Sequence, residues 1–201
     1  MCLKKNITTI CSTVTSYSKI REHNEARGQS SQIVVRRRPG RPSEGLLCWG
    51  GFVFPCALGH GGIRAIKREG DGATPLARMR LLYGWRRDEW KGGRSSGLRL
   101  KRIGKQDGWC DATEDRNYNR HVVLPYPASC ERMKRADDLY DCCIVMDYNI
   151  GERRRGMGSA IFFHLARPGF LPTEGCVAVT PRVMARILPH LTRKTVLVVM
   201  R

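Results

Sequence analysis

A histidine and a cysteine that flank a short loop are the side chains of this sequence best suited to chemistry. His164 ends an apolar run, and a loop rich in Pro and Gly leads from it to Gly175 and Cys176. A free thiol has a pKa of ~8.5, so it needs a neighbouring base to act as a nucleophile at neutral pH. An imidazole accepts that proton and returns it to a leaving amine. The pattern fits a nucleophilic thiol with a histidine base, and it also fits a buried thiol beside a loop histidine.

The elements that position this pair are predicted to be strands. After Cys176, Thr180 and Pro181 predict a helix start, with Thr as N-cap, and Pro189 ends or kinks that helix. Residues 1–31 are polar and aperiodic, so we expect a weakly ordered leader, with the domain beginning near Gln32 and running to residue 201. The fold class is mainly β, with strands expected near residues 33–35, 46–54, 81–83, 139–148, 159–165, 177–179 and 195–200.

Residues 84–109 are rich in Gly and in basic side chains, and they are predicted to form a long surface loop. Three tryptophans, Trp85, Trp90 and Trp109, flank or lie within it. They are interpreted either as anchors of the loop or as rings that stack on sugars.

Several ordered motifs resemble the L,D-transpeptidase catalytic domain, and in particular a group of short, single-domain proteobacterial members. Residues 159–164 are SAIFFH and residues 173–176 are TEGC, which is similar to the family's apolar strand, His, loop and Ser/Thr-x-Gly-Cys. The Thr-Pro segment at residues 67–75 is similar as well. Residues 54–59, 115–120 and 124–129 carry further matches, so the resemblance covers about residues 32–200.

The resemblance implies a fold of mixed sheets or a β-sandwich, with long loops and one or two short helices. It also implies a mechanism. Cys176 attacks an amide carbonyl of a peptidoglycan stem peptide, His164 serves as base and then acid, and N–H groups around Gly175 bind the oxyanion. The usual leaving group is a terminal D-alanine. A side-chain amine of a second stem then resolves the thioester into a cross-link, or water resolves it in a carboxypeptidase reaction. No metal or organic cofactor is implied.

Three positions depart from the family pattern. Glu174 stands where many members have His, Ala178 where they often have Arg or Asn, and Ala77 where a Gly is usual. Because of Glu174 and Ala178, two questions stay open: which donor stem peptide the site prefers, and which group orients His164. A main-chain carbonyl is one candidate for that orienting role.

Five residues are predicted to bind substrate. Arg167 and Thr173 adjoin the catalytic pair in sequence, and a bidentate Arg167 suits a carboxylate. Arg116, Tyr118 and Arg120 form the other group, which either binds carboxylates or supports the site as a hydrogen-bonded loop.

Tyr126, Ser129 and Glu131 belong to a loop bounded by prolines. They either line a cleft or have a structural role, and turn chemistry favours the structural role.

The charge balance indicates polyanionic partners. The chain carries 36 Lys and Arg against 18 Asp and Glu, a net charge of +18. Stem peptides, nucleic acid and an anionic membrane surface all fit such a surplus. A short RPGRP segment at residues 38–42 resembles a minor-groove hook, but nucleic acid is not the expected partner. A basic, non-enzymatic binding protein remains the alternative function, and an activated Cys176 that reacts well below pH 8 is expected to distinguish the two.

The cysteines and the first residues bear on location. Nine Cys occur with no CxxC pair, which argues against a zinc site and favours free thiols. Cys142 and Cys143 are adjacent in a predicted strand and are expected to face opposite sides. The family implies the cell envelope or periplasm, whereas the first residues lack a clear secretory h-region and the many thiols suit a reducing compartment. No membrane-spanning run is expected, and the oligomeric state is left open.

Overall fold

The computed structural model describes residues 31–93 and 96–201. The predicted leader, apart from Ser31, lies outside these residues. Fourteen strands occur in the described part of the chain: β1 (Gln32–Arg38), β2 (Arg41–Trp49), β3 (Phe52–Ala57), β4 (Ile63–Arg64), β5 (Thr74–Pro75), β6 (Arg78–Arg86), β7 (Leu100–Arg102), β8 (Asp107–Cys110), β9 (Arg120–Val123), β10 (Cys130–Arg132), β11 (Cys142–Met146), β12 (Phe162–Leu165), β13 (Val177–Val179) and β14 (Val196–Met200). The prediction of a mainly β protein with mixed sheets is confirmed.

Nine of these strands form one mixed sheet in the order β11-β12-β13-β3-β2-β1-β14-β6-β7. Strand β6 pairs with β14 through its first residues and with β11 through its later ones, which joins the strand order into a ring. Two smaller sheets stand apart, β10-β8-β9 and β4-β5. No helix in residues 31–93 or 96–201 is long and apolar enough to cross a membrane.

The single α-helix of the described residues, α1 (Pro181–Ile187), has the predicted start. The Thr180 side chain accepts a hydrogen bond from the Val183 N–H at 3.3 Å, and Pro181 occupies the first turn, where its missing N–H costs nothing. A 3-10 turn at Leu188–His190 contains Pro189 and ends the helix, as expected. The other 3-10 turns are Asp138–Tyr140 and Pro168–Phe170.

Two apolar clusters lie on opposite faces of the site-bearing strands. In β11, Cys142 belongs to the larger cluster, with helix α1, and Cys143 to the smaller one, with Trp85 and Trp109. The prediction that the two cysteines face opposite sides is confirmed. The alternation continues in β12, where Phe163 packs in the larger cluster and the even-numbered Phe162 in the smaller one.

The prediction of one long loop over residues 84–109 is wrong. The segment begins inside β6, and it contains β7 and most of β8. Trp85, Trp90 and Trp109 are all buried, as are Leu98 and Ile103, so the tryptophans are packing anchors and do not present faces to sugars. Basic side chains are interspersed with these apolar residues, and their high number led to the prediction of a loop where the structure has short strands.

The basic segment at residues 36–42 is mostly strand. Strand β1 runs through Arg38 and β2 begins at Arg41, so only Pro39 and Gly40 form the turn. Both arginines pair with Glu44, at 2.8 Å for Arg38 and 2.6 Å for Arg41. The RPGRP segment is thus the ordered tip of a hairpin whose arginines have an acidic partner.

Candidate active site

Two neighbouring strands bring the predicted nucleophile and base together. Strands β12 and β13 are parallel, with His164 opposite Ala178 and Phe163 opposite Val177. Cys176 precedes β13 and therefore lies beside Phe162, on the same face as His164. From strand spacing and rise, the two Cα atoms are about 8 Å apart. His164 and Cys176 both line one cavity of about 400 Å³.

Cys176 is held by main-chain groups at the bottom of this cavity. Its sulfur accepts a hydrogen bond from the Phe162 N–H at 3.3 Å, and its thiol donates to the Ala160 carbonyl at 3.2 Å. Only 6% of the residue is exposed. Burial raises the pKa of the thiol to about 12, against the smaller opposing effect of the Phe162 N–H. Cys176 therefore rests as a neutral thiol.

His164 is held in one tautomer by its own strand. Its Nδ1 lies 2.8 Å from the Leu165 carbonyl oxygen, which can only accept, so Nδ1 carries the proton and Nε2 has a free lone pair. The Tyr140 ring meets the imidazole edge-on, with centroids 5.2 Å apart. Burial lowers the pKa of His164 to about 4, although the Leu165 carbonyl favours the charged form. A main-chain carbonyl thus orients the imidazole, and Glu174 does not.

The two pKa shifts decide the resting state of the pair. Burial favours the thiol over the thiolate and the neutral imidazole over the imidazolium, so the neutral pair is the resting form. A buried thiol in this form is not expected to react well below pH 8, so thiol reactivity alone does not distinguish an enzyme from a binding protein. Proton transfer must accompany the attack on substrate.

Ala160 aims its carbonyl at the thiol from a left-handed backbone conformation, with φ of 52°. A left-handed Ala costs roughly 1 kcal/mol, so the surroundings must hold it in place. The buried Asn119 does so, because its Oδ1 accepts from the Ala160 N–H at 3.1 Å and from the Trp109 indole at 3.0 Å. Asn119 was not predicted as a site residue, although it lies within the 115–120 motif.

Gly175 occupies a position that excludes a side chain. Its φ is 128°, a region that L-residues rarely adopt, and a Cβ built on it would lie 2.7 Å from the Ala73 carbonyl oxygen. Thr173 fixes the same turn, since its hydroxyl donates to the Cys176 carbonyl at 2.7 Å and accepts from the Gly175 N–H at 3.2 Å. The Gly175 N–H, one of the main-chain groups expected to bind the oxyanion, is therefore occupied by Thr173.

Hydrogen bonds of the Thr-Pro segment, residues 67–75, support this turn. Thr74 Oγ1 accepts from the Gly59 N–H at 2.8 Å, and Gly59 forms a bridge to Thr173. The buried Lys67 donates to Asp71 at 2.7 Å, and Asp71 also accepts from the Ala73 N–H at 2.8 Å. These bonds fix Ala73, whose carbonyl oxygen leaves room only for Gly at residue 175.

The cavity that Cys176 and His164 share has many polar side chains in its wall. Ala178 leaves space beside His164, and neighbouring elements supply charges of both signs. The carboxylates on the wall are Glu69, Asp111, Glu131 and Glu174, and the guanidinium groups are Arg135 and Arg167. Glu131 is bound by the Tyr140 hydroxyl at 2.7 Å and by Arg135 at 3.3 Å, while burial raises its pKa.

Of the five predicted substrate-binding residues, Arg167 and Thr173 line the cavity. Arg167 is about half exposed and lies 3.8 Å from Asp137. Arg116, Tyr118 and Arg120 are not among the lining residues. Tyr118 is 2% exposed and its hydroxyl donates to Glu69, so it supports the wall and does not present itself to substrate.

Several wall residues were not predicted as site residues. Arg135 and Tyr140 had no signal in the sequence beyond residue type, and for Glu131 a structural role was favoured over a place in a cleft. Glu131 lies on β10, which pairs with β8, and Trp109 of β8 packs edge-on against Phe162 at 5.1 Å. Tyr140 packs edge-on against the same Phe162 ring at 5.7 Å. Glu174, another of the three departures from the family pattern, is exposed and lies 3.0 Å from His60.

Comparison with known proteins gives one match. A family model described as the L,D-transpeptidase catalytic domain, YkuD, matches residues 50–199. No curated protein matches the chain. No solved structure matches it either.

Proposed function

We propose that this chain, which belongs to the L,D-transpeptidase catalytic domain (YkuD) family, cross-links peptidoglycan stem peptides through a thioester on Cys176. The observation that carries the proposal is the shared cavity of Cys176 and His164, with the imidazole held in the tautomer that a base requires. Family members act on stem peptides, and the cavity wall has groups of both signs for a zwitterionic peptide.

In the first half-reaction, the Cys176 sulfur attacks the scissile carbonyl carbon as the thiol proton moves to Nε2 of His164. The carbonyl oxygen becomes an oxyanion beside the Cys176 N–H. The C–N bond then breaks, and the imidazolium gives its proton to the departing amine. For a tetrapeptide donor, the amine leaves as D-alanine. The products are a thioester and a neutral imidazole, so protons and charges balance.

In the second half-reaction, the neutral amine of another stem attacks the thioester carbon. A C–N bond forms and the C–S bond breaks, while one amine proton passes through His164 to the sulfur. An acceptor that enters as an ammonium ion must first release one proton to solvent. Water in place of the amine gives a carboxylic acid, which is the carboxypeptidase reaction.

The buried pair of Cys176 and His164 supports this proposal over that of a basic binding protein. A binding surface has no need for a neutral histidine bonded through Nδ1 and placed beside a buried thiol. The net charge of +18 fits the acidic groups of the cell wall under either function. Action in the cell envelope follows from the proposed substrate and belongs to the same proposal.

The test is to incubate the reduced protein with isolated disaccharide-peptides of diaminopimelate-type peptidoglycan and to identify the products by mass spectrometry. We expect a cross-linked dimer, which is lost in Cys176→Ala and retained in Cys130→Ala, a control that removes a half-buried free thiol outside the cavity. Trimmed monomers without dimers would indicate a carboxypeptidase. Unchanged substrate with every form of the protein would refute acyl transfer and favour the binding protein.

A further inference from the structure

Two cysteines face each other across neighbouring strands of the small sheet β10-β8-β9. Cys110 ends β8, Cys130 begins β10, and the register of this antiparallel pair places the two residues directly opposite each other. Both are free thiols in the structure. No other cysteine within the described strands has a cysteine as its registered partner. The opposite residues are Val53 for Cys48, Gly45 for Cys56, Arg86 for Cys142 and Trp85 for Cys143.

The main-chain hydrogen bonds around this pair determine how close the two residues come. The Asp111 N–H donates to the Ser129 carbonyl at 3.3 Å, one residue beyond the pair on each strand. In an antiparallel ladder such a bond flanks two residues that are not bonded to each other through their main chains. Cα atoms in a pair of this kind are about 4.5 Å apart, and a disulfide requires about 4.4–6.8 Å. The pairing of β8 with β10 therefore places Cys110 and Cys130 at a separation that a disulfide can bridge.

The two thiols differ in exposure, which gives them different roles in an oxidation. Cys110 is buried, and burial raises the pKa of its thiol, with the neighbouring Cys130 acting in the same direction. Cys130 is half-buried, so a compound in solution reaches its sulfur first. Because the thiolate is the attacking form, Cys130 is suited to start an exchange with a disulfide compound, and Cys110 is placed to complete it.

Strand β10 has few other bonds to hold it in place. It has three residues and lies at the edge of its sheet, where β8 is its strand partner. Ladder bonds hold so short an edge strand only weakly. Nevertheless Glu131 of β10 lines the cavity and accepts a hydrogen bond from the Tyr140 hydroxyl at 2.7 Å. A covalent bond at Cys130 would keep this wall residue in position.

The same bond would close residues 111–129 into a loop. This segment contains Asn119, whose Oδ1 accepts from the N–H of Ala160, the residue that directs its carbonyl at the Cys176 thiol. Closing a loop of about 20 residues restricts the unfolded chain and thereby stabilises the folded one. A disulfide here would therefore support both the cavity wall and the turn beside the thiol.

We propose that Cys110 and Cys130 form a disulfide that ties β10 to β8, with a disulfide compound as the oxidant. The Cys130 thiolate attacks one sulfur of that compound, whose S–S bond breaks and releases one thiol. Cys110 then loses its proton and attacks the Cys130 sulfur, so that the mixed S–S bond breaks and a second thiol leaves. The two protein thiols lose two electrons and two protons, and the compound takes up both as it becomes two thiols.

Oxidised glutathione tests the pair in the purified protein. The reduced chain is incubated with it, remaining thiols are blocked with iodoacetamide, and tryptic peptides are identified by mass spectrometry without reduction. Trypsin cleaves after Arg116 and Arg120, so the two cysteines fall on different peptides. We expect these two peptides to be joined, with the summed mass less two hydrogens. The midpoint of thermal unfolding should be higher in the oxidised protein than in the reduced one by about 5 °C or more.

Cys130→Ser should lose both the joined peptide and the rise in the unfolding midpoint on oxidation. Cys48→Ser is the matched control and should keep both, because Cys48 is also half-buried but lies opposite Val53. Absence of the joined peptide in the wild type, or glutathione that stays on Cys130, would overturn the disulfide. A joined peptide without a rise in the midpoint would overturn its supporting role. Neither measurement uses acyl transfer, so failure here leaves the proposed function standing, and failure of cross-linking leaves the disulfide standing.

Discussion

The thiol of Cys176 donates its hydrogen bond to the Ala160 carbonyl at 3.2 Å, so it is directed at a main-chain oxygen, while His164 is bonded through Nδ1 to the Leu165 carbonyl. An ion pair of thiolate and imidazolium would be arranged differently, with the two side chains bonded to each other. The resting site thus stores its proton on sulfur. Substrate must displace the thiol from Ala160 for the reaction to start.

This arrangement predicts slow alkylation of Cys176 at neutral pH. Because the pKa of the thiol is raised to about 12, the thiolate fraction at pH 7 is about one part in 10⁵ and rises tenfold for each pH unit. Iodoacetamide labelling, followed at Cys176 by peptide mass spectrometry, should therefore increase steadily from pH 7 to 10. A labelling rate that is high and constant between pH 6 and 8 would show a preformed ion pair and contradict the neutral resting state.

His164 is expected to make folding sensitive to acid. Its pKa is about 4 in the folded protein and about 6.5 when unfolded, so between these values the unfolded chain binds more protons. The stability contributed by the neutral imidazole is complete above pH 6.5 and is lost as the pH falls to about 4. The loss amounts to about 3 kcal/mol.

Urea unfolding at pH 7 and pH 4, for the wild type and for His164→Gln, measures this effect. The carboxylates contribute equally to both proteins, so the difference between their pH slopes isolates the histidine. We expect His164→Gln to lose less stability on acidification than the wild type does. Parallel slopes would mean that His164 titrates normally in the folded state.

Substitution of Gly175 is expected to damage both the fold and the site. Gly175→Ala places a Cβ 2.7 Å from the Ala73 carbonyl oxygen at a φ of 128°. Gly169→Ala is the matched control, since it also has a positive φ, 75°, but no atom within 4 Å of the new Cβ. We predict a loss of roughly 1 kcal/mol for Gly169→Ala from backbone strain alone.

For Gly175→Ala the clash adds to the strain, and we predict at least twice that loss, with acyl-enzyme formation reduced more than a hundredfold. Chemical unfolding and the mass of the acyl-enzyme measure the two effects. Similar stability losses for the two variants would show that the turn relaxes away from Ala73 at little cost.

Arg167 is predicted to bind a substrate carboxylate through two parallel hydrogen bonds. Lys retains the charge but not the planar fork, so Arg167→Lys should raise KM for the donor about tenfold. Arg116→Lys, outside the cavity, serves as the control and should change neither KM nor kcat. Steady-state kinetics decide the matter, and unchanged kinetics in Arg167→Lys would remove the bidentate role.

The strands that carry the pair could be predicted from the sequence, while the polar wall could not. His164 and Cys176 belong to adjacent strands joined by a short Pro-rich and Gly-rich loop, so local patterns suffice to bring them together. Asp111, Glu131 and Tyr140 reach the cavity through the pairing of β8 with β10 and through the packing of Trp109 on Phe162. Such short strands have weak patterns, and their register depends on distant contacts.

The protonation state of Cys176 and His164 could not be predicted from the sequence either. Spacing predicts that a thiol and an imidazole meet, but the direction of each pKa shift depends on how deeply the neighbouring elements bury them. Similarly, the 115–120 motif drew attention to its arginines and its tyrosine. The structure shows that Asn119 is the residue that holds Ala160, because its short amide reaches two donors at once.

Along β12 and β13, successive side chains face either the larger apolar cluster or the cavity. Neighbouring residues are therefore selected for different properties, core packing in one case and substrate contact in the other. Phe163 and Val177 pack in the larger apolar cluster, while His164 and Ala178 line the cavity. A substitution at Ala178 can therefore reshape the space beside the imidazole without opening a void in the main core. A lineage built on this sheet can change its preferred substrate by such steps and keep its folding stability, and protein engineers can use the same residue as the first to randomise.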